Sequence, residues 1–119
     1  MKSFHNKLKG LINSYILFGY KISKKFPREE LYSMTSQCRR ALLSVMLNYV
    51  EGYARTRKKV MLNFYETAYG SLQESIYIFY LAVRLNYIKI EEYNQLFGFK
   101  EEIGKMLWST LKGLREDSN

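Results

Sequence analysis

The sequence predicts an all-α fold, an antiparallel up-down-up-down four-helix bundle, on three observations. Apolar residues recur at three- and four-residue steps through most of the chain, the signature of amphipathic helices. The 119 residues include a single proline, Pro27, and only seven glycines, too little punctuation for a many-turned sheet. The periodic stretches, about 4–25, 34–54, 57–86 and 90–114, are joined by short turns, so successive helices must alternate in direction. The length suits one domain, 1–119.

In the first stretch Phe4, Leu8, Leu11, Tyr15, Phe18 and Ile22 mark one helical face. Pro27 ends it, because the residue before a proline is pushed out of the helical region. Pro27, Glu29 and Glu30 fit a short helical turn, and Ser33 or Thr35 is placed to cap the second helix. That helix carries two apolar stripes: Cys38, Ala41 or Leu42, Val45, Tyr49 and Tyr53 on one, and Leu43, Leu47, Val50 and Ala54 on the other. Two stripes need two partners, and in a small bundle the second points to a neighbouring subunit.

The third helix places Met61, Phe64, Ala68, Leu72, Ile76, Phe79 and Val83 inward, with Asn86 in its exit turn. Tyr65, Tyr69, Tyr77 and Tyr80 widen its aromatic band beyond one face. The fourth uses Tyr93, Leu96 or Phe97, Ile103, Leu107, Leu111 and Leu114. Gly98 and Gly104 lie inside it, at about 1 kcal/mol each relative to Ala, and suggest a close helix approach or a kink.

Composition narrows the function classes. With 47% hydrophobic and 16% aromatic residues the chain fills a core, which argues against disorder. A lone cysteine, Cys38, excludes an internal disulfide and a multi-cysteine zinc site and fits a reducing compartment. The basic, partly apolar N-terminus lacks a cleavage site after it, and the longest apolar-aromatic run, 76–83, falls far short of the ~18 residues of a spanning helix, so cytoplasm is expected. His5 is the sole histidine, so the paired Glu-x-x-His ligands of a di-iron bundle are impossible. No Ser/His/Asp set, glycine-rich phosphate loop or His-Cys metal spacing is present, and neither catalysis nor a cofactor nor a metal is expected. Cys38, on an apolar stripe, reads as inert packing.

The net charge of +8 is uneven. Residues 1–59 carry 13 Lys/Arg against three Glu, whereas residues 60–119 carry six against eight acids. A basic surface belonging to the first half suits RNA, DNA, an acidic protein or an anionic membrane.

Arg55, Arg57, Lys58 and Lys59 crowd a helix start, where each cation is disfavoured by roughly 0.3–1 kcal/mol, so the cluster is a candidate nucleic-acid site. Its ordinary alternative is a solvated turn with Glu51 paired to Arg55 four residues on. Neutralisation by Glu51 would favour a protein-docking role; unpaired convergence would favour binding. Lys21, Lys24, Lys25 and Arg28 form a second basic group at the end of helix 1, where the helix dipole favours cations in any case. One of Arg39 and Arg40 suits a phosphate-binding surface, but both read first as structural or interface ion-pair residues, with Glu51 and Glu74 as partners, and Leu43, Leu47 and Val50 as an oligomer interface. The eleven tyrosines and Trp108 admit base stacking, but their helical stripes make packing the ordinary explanation.

From Phe26 onward the order "FPREE", "MTSQCRR", Glu51-Gly52, the basic turn 55–59, "AYGSLQE" and "LNYI" resembles the four-helix-bundle family encoded in intervening sequences of bacterial 23S ribosomal RNA genes. The C-terminal "EEIGKMLWSTLKGL" is similar to that family's last helix, and to the related accessory variability proteins of diversity-generating retroelements. Cys38 departs from a usual aliphatic residue and Lys89 from a small capping one. "LLSVMLNYV" lacks a common Ile-Pro step, so helix 2 is expected to be regular. The resemblance implies an antiparallel bundle assembled as a ring-like homopentamer, without an established enzymatic activity. For the retroelement relatives it implies binding to a reverse transcriptase and to nucleic acid. The resulting expectation is a non-enzymatic accessory protein binding RNA or DNA through its basic surface, or alternatively a scaffold that docks a partner such as a reverse transcriptase.

Overall fold

A computed structural model describes residues Lys2–Ser118. Four helices follow in order: α1 Lys2–Ser23, α2 Ser36–Tyr53, α3 Lys58–Arg84 and α4 Ile90–Ser118. They form a rod of 46 × 25 × 21 Å in which α1 packs on α2 and α4, and α3 packs on the same two neighbours. All four expected helices are present. The first end holds the start of α1, the α2–α3 turn and the end of α4. The second holds the end of α1, the connector into α2 and the α3–α4 turn.

The core runs the length of the rod through Leu8, Ile12, Tyr15, Leu42, Val45, Leu72, Phe79, Leu96, Ile103, Leu107 and Leu111. Its inner faces are turned slightly from the expected ones. Ile12 and Gly19 are buried where Leu11 and Phe18 were expected, and Tyr65 and Ala82 where Phe64 and Val83 were. In α4 the inward residue is Leu96, with Phe97 38% exposed. Close approach of the helices explains this at Gly19 and Ala82, since small residues sit where backbones meet. A Cβ on Gly19 would lie 2.7 Å from Leu42 Cδ1, and one on Gly52 2.7 Å from Tyr65 Cε1. Gly98 and Gly104 have no such role: nothing lies within 4 Å of a Cβ at Gly98, and only Leu72 at 3.7 Å at Gly104.

Pro27 ends the α1 exit, and a 3-10 turn, Arg28–Glu30, leads into a π turn, Leu31–Thr35, continuous with α2. Neither Ser33 nor Thr35 caps α2. Thr35 has helical backbone angles and makes no side-chain cap bond. The orphan amides lie a turn earlier, where the Glu30 carboxylate accepts from Met34 N at 3.4 Å. From Ser36, α2 is unbroken, as the missing proline predicts.

The α3–α4 turn closes with Asn86 at φ 64°, Asn86 N donating to Val83 O at 2.9 Å and Tyr87 N to Ala82 O at 2.8 Å, a Schellman-type stop. Lys89 precedes α4 with no capping oxygen of its own. Glu92 replaces it by reaching back to accept from Lys89 N at 2.9 Å. Among the described residues no helix is long and apolar enough to cross a membrane.

Candidate nucleic-acid interface

Alternating helix direction places the two basic groups at opposite ends of the rod. Arg55, Arg57, Lys58 and Lys59 lie at the first end, all exposed; Lys21, Lys24, Lys25 and Arg28 lie at the second. They do not form one surface.

At the first end Arg55 is engaged. It pairs with Glu51 at 2.5 Å and its guanidinium lies 5.2 Å from the Phe64 ring centre. An exposed i,i+4 pair of this kind contributes about 0.3–0.5 kcal/mol and offsets one charge of the cluster. Arg57 and Lys59 make no ion pair among the described residues. Nearby, Arg115 pairs with Glu66 at 2.8 Å and lies over Trp108 at 5.3 Å. The start of α1 is fastened here by His5, which stacks on Tyr53 at 3.5 Å between centroids, with Nδ1 2.8 Å from Tyr49 Oη.

At the second end Lys25 pairs with Glu92. Burial pushes the Glu92 carboxyl upward, but the Lys25 hydrogen bond, the Lys89 amide and both lysine charges together hold it below its ordinary value. Glu30 is occupied by Tyr87 Oη, which donates to it at 2.8 Å. Lys21, Lys24 and Arg28 are not buried and make no ion pair among the described residues.

Arg39 and Arg40 do not pair with Glu51 or Glu74. Twelve residues along one helix put Glu51 about 18 Å from Arg39, and Glu51 is taken by Arg55. Arg39 instead crosses to α1: its Nε donates to Ser23 Oγ at 3.0 Å, and its guanidinium lies 5.2 Å from the Tyr20 ring centre. Ser23 Oγ in turn donates to Tyr20 O at 2.8 Å. Arg40 donates to Gln37 Oε1 at 3.0 Å, and Gln37 reaches Glu74, so that pairing is relayed through an amide.

Arg39 thus joins Lys24 and Arg28 around a cleft of about 220 Å³, lined also by Ser23, Phe26, Pro27, Leu31 and Thr35. The sequence carries no direct signal for this grouping, because Arg39 is eleven residues past Arg28 and the connector's path decides that they meet.

Leu43, Leu47 and Val50 are 41%, 60% and 43% exposed, so the second stripe of α2 has no partner within the described residues. The tyrosines divide. Tyr15, Tyr49 and Tyr65 are core, and burial raises all three phenols. Tyr77, Tyr80, Tyr93 and Phe97 instead run ring to ring along the α3–α4 face at 5.7–6.2 Å, with Lys100 over Phe97 at 5.1 Å. Cys38 is buried on the core stripe, and desolvation pushes its thiol up to about 12, far from the thiolate a nucleophile needs.

A solved structure from Bacteroides thetaiotaomicron, described as a protein of unknown function from the S23 ribosomal protein family, superposes with a TM-score of 0.80. The match covers 88% of this chain and 98% of that one at 24% identity, and it shows the shared fold. No curated protein matches the chain. The pattern of the 23S rRNA-intervening sequence protein family matches residues 14–109, more than half the chain. The chain belongs to the 23S rRNA-intervening sequence protein family.

Proposed function

We propose that this protein is a non-enzymatic, cytoplasmic helical-bundle accessory protein that binds RNA or DNA through its basic ends, as a homo-oligomer. One observation carries the reading: Lys21, Lys24, Arg28 and Arg39 gather at one end with no ion pair among the described residues. Unpaired cations on a rigid scaffold are suited to phosphate contact and ion release, which gives salt-steep binding of low sequence specificity. The exposed α2 stripe supports assembly with further copies, in the ring-like homopentamer that the resemblance implies. Five copies of a weak basic end would raise avidity wherever one nucleic acid spans several subunits.

The Arg55–Glu51 pair favours a second reading, because it partly neutralises the other basic turn. In that reading the assembly is a scaffold docking a partner such as a reverse transcriptase.

Anisotropy titrations of labelled structured RNA and single-stranded DNA at several salt concentrations separate the two. Parent protein is compared with Lys21, Lys24 and Arg28 all changed to Glu, and with Arg55, Arg57, Lys58 and Lys59 all changed to Glu. Binding by the parent with a steep salt slope, reduced by about 2–3 in the first variant, supports the nucleic-acid reading. No binding by the parent, or equal binding by all three, removes it in favour of the scaffold.

A further inference from the structure

The second end of the rod holds a feature more specific than loose basic charge. The cleft between the end of α1, the connector and the first turns of α2 is lined by three cations, Lys24, Arg28 and Arg39, and by no carboxylate. Two acids at this end are engaged elsewhere: Glu30 holds Met34 N and Tyr87 Oη, and Glu92 holds Lys25 and Lys89 N.

Arg39 is set in place before any ligand arrives. Its Nε is spent on Ser23 Oγ, and its plane rests near the Tyr20 ring. The two terminal NH2 groups then have no acceptor among the described residues, although guanidinium N–H groups normally find one. Thr35 also lines the cleft, 5% exposed, and its hydroxyl makes no hydrogen bond to any described residue. A hydroxyl and a fixed guanidinium fork, both open to the solvent of the cleft and neither spent on a protein acceptor, are free to hold a ligand with several oxygens. Lys24 and Arg28 at the mouth add the charge to match.

We infer that this cleft is a binding site for a phosphate group, with Arg39 as the planar donor, Thr35 as a hydroxyl donor and Lys24 and Arg28 as charge partners. Phosphate fits better than a carboxylate because it presents more oxygens and carries more charge, and guanidinium meets it bidentately. A volume of about 220 Å³ has room for one such group. This deepens the nucleic-acid reading and rests on it only for the carrier of the phosphate.

The test follows the Arg39 Nε–Hε signal in 15N-labelled full-length protein. It is titrated with inorganic phosphate, with a 5′-phosphorylated oligonucleotide and with the same oligonucleotide bearing a 5′-hydroxyl, against chloride at matched ionic strength. The expected result is a saturable shift with phosphate that chloride does not produce. Affinity should fall about tenfold in Lys24→Ala and in Arg28→Ala, both surface positions that leave the fold intact, and in Arg39→Lys, which keeps the charge but loses the fork and is followed by the backbone amides of Ser23 and Thr35 instead. Arg57→Ala, at the other end, should leave phosphate affinity unchanged.

A shift with both oligonucleotides identifies an internal phosphate as the ligand, and one with the phosphorylated form alone identifies a terminal phosphate. A shift with inorganic phosphate alone keeps the site but removes nucleic acid as the carrier of its phosphate. If no titrant moves Arg39 saturably, or if the Lys24 and Arg28 variants bind phosphate as the parent does, the site is overturned. Oligonucleotide binding that survives in anisotropy would then leave the broader nucleic-acid reading standing.

Discussion

A methyl group added at Gly52 would sit 2.7 Å from Tyr65 Cε1 and 2.8 Å from Cδ1. The Tyr65 ring is 2% exposed and stacked on Tyr49 at 5.5 Å, so it has nowhere to retreat. At Gly98, also inside a helix, an added methyl would meet nothing within 4 Å. Replacing either by Ala removes the same unfolded-chain freedom, worth roughly 0.5–1 kcal/mol in a helix. Gly52→Ala should nevertheless destabilise, by about 1–3 kcal/mol of overpacking less that gain, whereas Gly98→Ala should stabilise by the gain alone. Urea denaturation of the two variants checks both signs. The pair also shows why glycines mislead when read from sequence: Gly98 and Gly104 stand out within a long apolar pattern, while Gly19 and Gly52 matter through neighbours on other helices. The same blindness turned the expected core faces at Gly19 and Ala82, since counting large apolar residues overlooks the small ones that let helices touch; at Leu11–Ile12 and Phe64–Tyr65 two large neighbours compete for one inward position.

Among the elements, α1 depends on contacts at both of its ends, and its beginning carries a titratable one. His5 is held against Tyr53 and Tyr49, and burial together with the Lys9 charge lowers its pKa below 6.5. An imidazole with a lowered folded-state value binds fewer protons folded than unfolded, so stability rises with pH through that window. Acidification from 7 through about 6.5 and downward should therefore weaken the α1–α2 contact first, until the folded-state value is also passed. Hydrogen exchange at the α1 N-terminal amides should accelerate as the pH falls through this window in the parent, once the intrinsic pH dependence of exchange is divided out. In His5→Phe, which keeps a ring against Tyr53 but cannot titrate, that acceleration should disappear; if it persists unchanged, His5 is not its source. Element existence was legible from periodicity alone, and the bounds differ by only a few residues. The caps were not: the roles of Glu30 and Glu92 depend on a π turn and a long reach that no short motif in the chain announces.

For the whole molecule, the rod separates what the linear sequence placed close together. Arg28 and Arg55 belong to one basic half of the chain, yet they stand at opposite ends of a body 46 Å long. Between those ends α2 exposes Leu43, Leu47 and Val50 along one line, an apolar stripe running with the axis of the rod. Burial of such a stripe against another copy would cover three large side chains that are 41–60% exposed, so each would contribute roughly half of the 1.5–3 kcal/mol of a full burial. In a ring of parallel rods it would also set the basic ends of successive copies side by side, the arrangement that multivalent contact with one polyanion needs. Leu47 is the most exposed of the three, and its substitution leaves the core untouched. Leu47→Glu should therefore keep helicity and thermal unfolding close to the parent's monomer level while shifting the mass to a smaller species by light scattering. Nucleic-acid affinity should fall with it, although no basic residue has changed. An unchanged mass in Leu47→Glu would remove the α2 stripe as the interface. A parent that stays monomeric at micromolar concentration would remove the oligomer itself, and each basic end would then act alone.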